Sequence, residues 1–118
     1  MPELPEVETI VRRLRAPLLG RRFTQVRFTW PPMARPSVEA FSSRLPGQAV
    51  TAVDRRGKYV VMPLSSGDTL LVHLKMTGDL RVVGWDQPPH RHDRVEFDLD
   101  NGQQLRFNDP RKFGRLYL

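Results

Sequence analysis

The stretch RVEFDLDNGQQLRFN, residues 94–108, predicts the fold more clearly than any other part of the chain. Apolar and polar residues alternate on both sides of Asn101-Gly102, a dipeptide that favours the tight turn of a β-hairpin. A second hairpin is indicated at Ser66-Gly67-Asp68, between two further apolar strands. These signals predict antiparallel pairing over much of the chain.

The same alternation extends outward from the hairpins. A half-buried strand is predicted from Phe23 to Trp30. The other predicted strands cover about residues 48–55, 58–64, 69–76, 79–84, 94–100, 103–108 and 113–118. With strands in this number, the expected fold is mainly β (α+β), an antiparallel β-sandwich flanked by an N-terminal helix and a second short helix.

Two segments have helical rather than alternating patterns. From Pro5 to about Pro17 apolar residues recur at helical spacing, and Gly20 ends this helix. Its expected buried stripe comprises Leu4, Val7, Ile10, Val11, Leu14 and Leu18. Ser37 can cap the second helix, which Pro46-Gly47 closes.

Composition limits the partners. The 118 residues fit one domain, 1–118, with a formal net charge of +6 and no cysteine. Disulfides and thiolate metal sites are therefore excluded within this chain, and no apolar run is long enough for a membrane span. Because nearly all the cations are arginines, which pair with phosphate and stack on bases, nucleic acid is favoured over a membrane surface. Codon bias or thermal adaptation is the alternative explanation of the arginine content.

The first residues combine a proline with two carboxylates. If Met1 is removed, Pro2 becomes a secondary amine that can condense with a sugar aldehyde carbon, and it is less basic than lysine. Glu3 and Glu6 lie within one helical turn, where they could carry protons. The same residues are also typical of an ordinary helix N-terminus, so composition leaves both interpretations open.

Further candidates lie near predicted turns. Lys58 belongs to a cluster of cations around Gly57 that suits phosphate binding, although a solvated strand end would look the same. His73 and Lys75 share one face of a strand, although a polar pair opposite a core face is commonplace. Met76 is pushed to a loop tip by the turn after it, where it could enter a base stack; a packed hydrophobe is the alternative.

Arg111 and Phe113 lie on a later turn, where a guanidinium can bond base edges and a ring can stack. A packed hydrophobe or a surface cation is the alternative for each. His90, His92 and Asp93 offer a tempting metal pattern, but ligand sets normally need three or four fixed donors, and we expect no metal in this chain.

Four motifs in order carry a resemblance over all 118 residues: PELPEVET (2–9), RGKY (56–59), HLKMTG (73–78) and DPRKFG (109–114). The chain resembles the catalytic N-terminal domain of the bacterial formamidopyrimidine-DNA glycosylase family, which excises oxidised purines and cleaves the resulting abasic site. The resemblance implies duplex DNA with a damaged base as partner, a monomer, and a cytoplasmic location.

The resemblance also implies roles for individual residues. Pro2 would attack C1′ and form an iminium that drives β,δ-elimination, Glu3 would shuttle protons, and Glu6 would orient the sugar. Lys58 and His73 would hold phosphates, and His92 would contact phosphate or brace the active-site edge. Met76, Arg111 and Phe113, here called the wedge, would fill the gap left by the flipped nucleotide, with Arg111 facing an orphaned cytosine.

The family's second half is not among these residues. Its helix–two-turn–helix segment and four-cysteine zinc finger, and the loop that recognises the flipped base, are missing, so zinc is expected outside this chain. The chain also stops within an apolar alternating segment, and we expect it to be the N-terminal piece of a longer protein. The alternatives are a non-catalytic DNA-binding fragment, a pyrimidine-specific relative of endonuclease VIII type, and a basic β-domain of ribosomal type.

Overall fold

The structure is a computed structural model that describes residues 4–118. Within that range the chain forms two α-helices and nine strands. Their bounds are α1 Leu4–Leu18, β1 Phe23–Phe28, β2 Ala34–Arg35, α2 Val38–Arg44, β3 Asp54–Arg56, β4 Tyr59–Pro63, β5 Thr69–His73, β6 Asp79–Gly84, β7 Asp93–Leu99, β8 Gln103–Asn108 and β9 Arg115–Tyr117.

The strands form two sheets around one apolar core. The first sheet has the order β1-β7-β8-β6, and the second has the order β2-β9-β5-β4-β3. The two hairpins expected from the sequence are present, with β7 antiparallel to β8 and β4 antiparallel to β5. Gly102 adopts φ +80° in the first turn, a conformation that favours glycine. The predicted fold class is confirmed.

Several strand limits differ from the predicted ones. The strand expected over 48–55 is reduced to Asp54–Arg56, and two isolated bridges join Ala49 and Val50 to other segments. β5 ends at His73 because Lys75 takes a left-handed φ of +54° that cannot continue a strand. The predicted 113–118 strand begins only at residue 115.

One pairing departs from the antiparallel expectation. The two-residue β2, which the sequence did not predict, pairs in parallel with β9. Leu118 N donates to Arg35 O at 2.9 Å and completes this contact. The pairing joins segments more than 80 residues apart, and the proline-rich sequence around β2 carries no alternation from which it could be read.

The helices match their sequence patterns with one exception. On α1, five of the six expected stripe residues are buried, beginning with Val7, whereas Leu4 is 46% exposed. The expected burial of Leu4 was wrong, because contact of the helix with the sheets begins one turn later. The Ser37 side chain accepts a hydrogen bond of 3.1 Å from Ala40 N and caps α2 as predicted.

The core lies between the two sheets and is lined by large apolar side chains. The Phe23 and Phe97 rings are 5.4 Å apart, and Phe107 is completely buried. Within the described residues every buried side-chain nitrogen and oxygen has a hydrogen-bond partner. Neither helix of residues 4–118 is long and apolar enough to cross a membrane.

Two edge strands are protected from pairing with another chain in different ways. β3, at one edge of the second sheet, consists of three exposed charged residues. β6, at one edge of the first sheet, is covered by α1, whose Arg13 donates to Leu80 O and to Asp79 at 2.9 Å. Polar and charged groups thus occupy both edges.

Candidate nucleic-acid interface

The start of α1 is joined to the second sheet by an ion pair between Glu8 and Arg55. Pro2 and Glu3 lie outside the described residues. Glu6 is exposed in the first turn of α1, and Glu8 accepts a hydrogen bond of 3.2 Å from Arg55 on β3. That hydrogen bond lowers the pKa of Glu8 below its ordinary 4.5. The contact brings the first turns of α1 beside the strand that leads into the Arg56-Gly57-Lys58 turn.

Lys58 and His73 lie at the same end of the second sheet. Gly57 has φ +58°, which allows the tight turn between β3 and β4. Lys58 follows it, and its carbonyl accepts from Leu74 N at 3.4 Å, just beyond the end of β5. In the β4–β5 pairing His73 stands opposite Tyr59, the next residue after Lys58. The structure therefore brings together the two residues expected to hold phosphates.

His73 is held as a neutral donor. Burial of its ring, and then the charges of Lys75 and Lys58, lower the pKa of His73 from 6.5. Lys75 N donates to Nδ1 at 3.0 Å, so Nδ1 is an acceptor and the proton of the neutral imidazole lies on Nε2. The Tyr59 ring packs against the imidazole ring edge to face, with the centroids 4.5 Å apart and an angle of 80° between the planes. The fixed ring can offer Nε2–H to a phosphate oxygen without itself carrying a charge.

The turn after β5 carries the first wedge residue. Met76 is 40% exposed, as the sequence predicted for a loop tip. It follows Lys75 with its left-handed backbone and precedes Gly78, where a Cβ would lie 2.6 Å from Leu74 O and 2.9 Å from the Phe107 ring. Only glycine fits this close approach.

The loop of residues 109–114 carries the other two wedge residues. Phe113 is 43% exposed, and the Arg111 guanidinium lies 4.9 Å from the centre of its ring. Lys112, between them, also has a left-handed φ of +60°, and its Nζ lies 4.0 Å from the centre of the Trp30 ring. Cation–π contacts of this kind hold both cations over aromatic faces.

Two of the three wedge residues meet at one surface, and Arg111 adjoins it through its contact with the Phe113 ring. Met76 and Phe113 line the same depression, together with Lys75 and Tyr117 and two arginines, Arg35 and Arg115. Apolar side chains surrounded by cations are the combination that stacks on bases while neutralising phosphates. A neighbouring depression of about 510 Å³ shares Tyr117 and is lined mainly by apolar side chains of β4 and β5.

His92 lies beside the 109–114 loop at the start of β7. Its carbonyl accepts a hydrogen bond of 3.0 Å from Asp109 N. Loss of hydration, and to a smaller extent the charge of Arg91, lowers the pKa of its imidazole from 6.5. The next arginine, Arg94, donates from Nε to Asp109 O at 3.0 Å. His92 is thus next to the wedge loop along the backbone.

The loop that leads to His92 is fixed by a buried arginine. Arg106 on β8, with a side chain only 5% exposed, donates to Gln87 O at 2.8 Å and to Pro88 O. His90 Nδ1 accepts a hydrogen bond of 3.1 Å from His92 N, so this ring nitrogen stabilises the local turn. Over residues 4–118 no group of three or more His, Asp or Glu side chains is placed to hold a metal ion.

Sequence reasoning missed three residues that position this face. Asp109 is completely buried and binds the wedge loop, Trp30 supports Lys112, and Glu8 joins α1 to β3. Asp109 had a signal, because Asp before Pro often bonds the backbone of a following turn. Trp30 had no signal, since its partner lies more than 80 residues away.

The fold and this surface define a class of protein: a basic two-sheet domain with exposed apolar and cationic side chains at one end. Residues 1–116 match the family model described as the formamidopyrimidine-DNA glycosylase N-terminal domain, and the chain belongs to that family. The resemblance noted from the four motifs is confirmed.

Relatives named formamidopyrimidine-DNA glycosylase share nearly half of the residues. The protein from Herpetosiphon aurantiacus is 48% identical over 120 residues, covering 100% of this chain and 44% of the relative. The protein from Xanthomonas campestris pv. campestris strain B100 is 47% identical over 116 residues, covering 98% of this chain and 43% of the relative. The chain therefore spans less than half the length of these curated relatives.

Solved structures of the family have the same fold. The Lactococcus lactis formamidopyrimidine-DNA glycosylase bound non-covalently to DNA with an AP site superposes with a TM-score of 0.91 at 33% identity, covering 98% of this chain and 44% of that chain. The complex of the L. lactis protein with DNA containing FAPY-dG gives 0.92 at 33% identity, covering 98% and 43%.

Proposed function

We propose that this chain is the catalytic N-terminal domain of a base-excision repair enzyme that removes oxidised purines from duplex DNA and then cleaves the abasic site. The observation that carries the proposal is the convergence of Lys58, His73 and the wedge on one end of the two sheets. Membership of the glycosylase family supports it, as does the net charge of +6.

The chemistry proposed for the chain start uses a secondary amine. After loss of Met1, the Pro2 nitrogen attacks C1′ of the damaged nucleotide, a C–N bond forms, and the bond from C1′ to the base breaks. Glu3 carries protons to and from the sugar as its ring opens, which leaves an iminium between Pro2 and C1′. β-Elimination and then δ-elimination release the phosphates on the two sides of that sugar. Glu6 orients the sugar.

The proposed role of the sheet end is to hold the DNA open. Lys58 and the neutral Nε2–H of His73 bind phosphates around the lesion, with His92 at the edge. Flipping a nucleotide costs a few kcal/mol of stacking, and insertion of apolar side chains offsets that cost. Arg111, supported by the Phe113 ring, faces the orphaned cytosine.

Borohydride trapping on abasic-site DNA tests the proposal in the natural protein that contains these residues. Intact mass first shows whether Met1 is absent, because retention would convert the Pro2 nitrogen into an unreactive amide. The expected result is a covalent adduct that Pro2→Gly weakens and that Pro46→Gly, an exposed proline in the loop after α2, leaves unchanged. A protein that binds the DNA and yields no adduct would be a binding module instead.

Two further measurements separate catalysis from binding. Glu3→Gln should abolish excision of 8-oxoguanine while the DNA affinity stays near that of the parent; excision at the parental rate would contradict the proton-transfer role. Lys58→Ala should reduce the slope of log affinity against log salt by about 0.9, the value for one lost phosphate contact. Preferential excision of oxidised pyrimidines would favour the endonuclease VIII type of relative.

Three other expectations belong to the same proposal. The full protein acts in the bacterial cytoplasm, works as a monomer, and binds zinc through residues outside this cysteine-free chain. Sedimentation of the DNA complex and metal analysis of the longer protein test the last two.

A further inference from the structure

The carboxylate of Asp109 connects the two loops that carry the wedge. Its side chain is 0% exposed. Oδ2 accepts from Gly114 N at 2.7 Å, and Oδ1 accepts from Arg111 N at 3.2 Å. Oδ1 also accepts a hydrogen bond from the Thr77 hydroxyl, in the turn directly after Met76. One buried carboxylate therefore binds the backbone of Arg111 and the residues that directly follow Met76 and Phe113.

A second, independent contact joins the same loops. The edge of the buried Phe107 ring touches the backbone at both glycines that follow the wedge motifs. A Cβ on Gly78 would lie 2.9 Å from Cε1, and a Cβ on Gly114 would lie 2.9 Å from Cε2 of the same ring. Neither glycine has a positive φ in this structure, so glycine is needed at both positions for lack of space and not for its backbone conformation. Both loops rest on one rigid ring.

The backbone of Asp109 extends the connection to the start of β7. Its N–H donates to His92 O, and its carbonyl accepts from Arg94 Nε, each at 3.0 Å. Asp109 therefore forms a hydrogen bond to each wedge residue, to the residue next to it, or, in the case of His92, to its own carbonyl. Within residues 4–118, no other residue of the 109–114 loop forms a side-chain hydrogen bond to the turn that carries Met76.

We propose that Asp109 is a positioning residue that presents Met76, Arg111 and Phe113 to the duplex as one rigid unit, with the Thr77 hydroxyl as the bond that couples the two loops. The inference rests on the proposed function, since it assumes that these side chains enter the DNA. Pre-ordering the three side chains spares the entropy of fixing them separately on binding. Loosening one loop should therefore lower selectivity for damaged DNA more than general affinity.

The hydroxyl of Thr77 can be removed without altering the shape of the turn. Thr77→Val deletes the hydrogen bond, and Thr77→Ser keeps it. Thr51→Val is the matched control, because the Thr51 hydroxyl bonds Pro63 O at 3.0 Å in a different part of the second sheet. Asp109→Asn keeps the shape of the side chain but replaces the carboxylate with an amide. It tests the acceptor of the Thr77–Asp109 hydrogen bond, as Thr77→Val tests the donor.

The measurement is the ratio of affinities for a duplex with an abasic-site analogue and for the same duplex undamaged, at fixed salt. Thr77→Val should reduce this ratio about tenfold or more, as expected for a lost hydrogen bond to a carboxylate. Thr77→Ser and Thr51→Val should stay within about twofold of the parent. Fluorescence of 2-aminopurine opposite the abasic analogue should fall in the Thr77→Val complex, because the base restacks without the wedge.

The outcomes separate this inference from the proposed function. A parent protein with no preference for the abasic duplex refutes the proposed function itself. A parent with that preference, and a folded Thr77→Val or Asp109→Asn that keeps it and the 2-aminopurine signal, refutes the positioning role and leaves Asp109 as a support of the local backbone only.

Discussion

The replacement of Gly114 by alanine tests the glycine position with the least space for a side chain. The added Cβ would lie 2.9 Å from Phe107 Cε2, nearer still to Cζ of the same ring, and 3.0 Å from Asp109 Oδ2. These neighbours are a buried ring and a buried carboxylate with its own hydrogen bonds, so neither can move freely. Overpacking of this kind costs about 1–3 kcal/mol, and the lower entropy of the unfolded alanine chain offsets about 0.4–1 kcal/mol of it.

The net loss of about 1–2 kcal/mol corresponds to a fall in Tm of roughly 4–8 °C for a domain of this size. Thermal and urea unfolding measure it. Gly84→Ala is the matched control, because its added Cβ would meet only the flexible end of the exposed Asp86 side chain. That variant should stay within about 0.5 kcal/mol of the parent.

A double-mutant cycle identifies the contact responsible. Phe107→Leu removes Cζ and Cε2, the ring atoms that the new methyl group meets, at a cost of about 2 kcal/mol for the cavity. In the Phe107→Leu background, Gly114→Ala should be less damaging by about 1 kcal/mol than in the parent. Equal effects in the two backgrounds, or a Gly114→Ala protein as stable as the parent, would refute the packing argument.

Three other variants address backbone, buried charge and pH. Lys75→Gly should leave the unfolding free energy unchanged or raise it by up to about 1 kcal/mol in urea titrations, because glycine adopts the observed φ of +54° without strain, whereas Lys75→Val should lower it. Arg106→Met should cost about 3 kcal/mol by the same assay, since it leaves buried acceptors without their donor, while the exposed Arg81→Met should cost less than about 1 kcal/mol; equal losses would contradict the assigned burial. Hydrogen bonds from Arg27 lower the pKa of Asp98 below 3.8, so its contribution is present above that pH and is lost as the pH falls through the lowered pKa. Asp98→Asn should therefore flatten the fall of Tm below about pH 4, and an unchanged acid limb would contradict this assignment.

Local signals predicted most of the fold. The Asn101-Gly102 turn, the Ser37 cap and the apolar stripe of α1 each depend on residues a few positions apart, and each is present in the structure. The parallel contact of β2 with β9 could not be predicted, because it depends on the packing of two segments far apart in the chain. The same holds for the reduction of the 48–55 segment to a short strand and two bridges.

The residues of the candidate site could also be predicted from the sequence, whereas their arrangement could not. Residue types near predicted turns indicated Lys58, Met76, Arg111 and Phe113, and the family resemblance added His73. The structure places these residues at one end of the sheets or on adjoining loops. The sequence does not show how the two wedge loops are joined to each other.

The left-handed backbone at Lys75 and Lys112 is unusual for residues other than glycine. The Thr77–Asp109 hydrogen bond crosses between segments that share no pattern. This bond joins the turn after β5 of the second sheet to the residue after β8 of the first sheet, so it requires that the two sheets pack together.

The charged and covered edges of the sheets bear on self-association. An unpaired strand can act as a template for a second chain, and a charged or occupied edge makes such strand addition unfavourable. A copy adding to β3 would have to bring its own backbone against three exposed ionic side chains. A copy adding to β6 would first have to displace Arg13 from Leu80 O. Addition of a second chain at β3 or β6 is therefore disfavoured, even at high protein concentration.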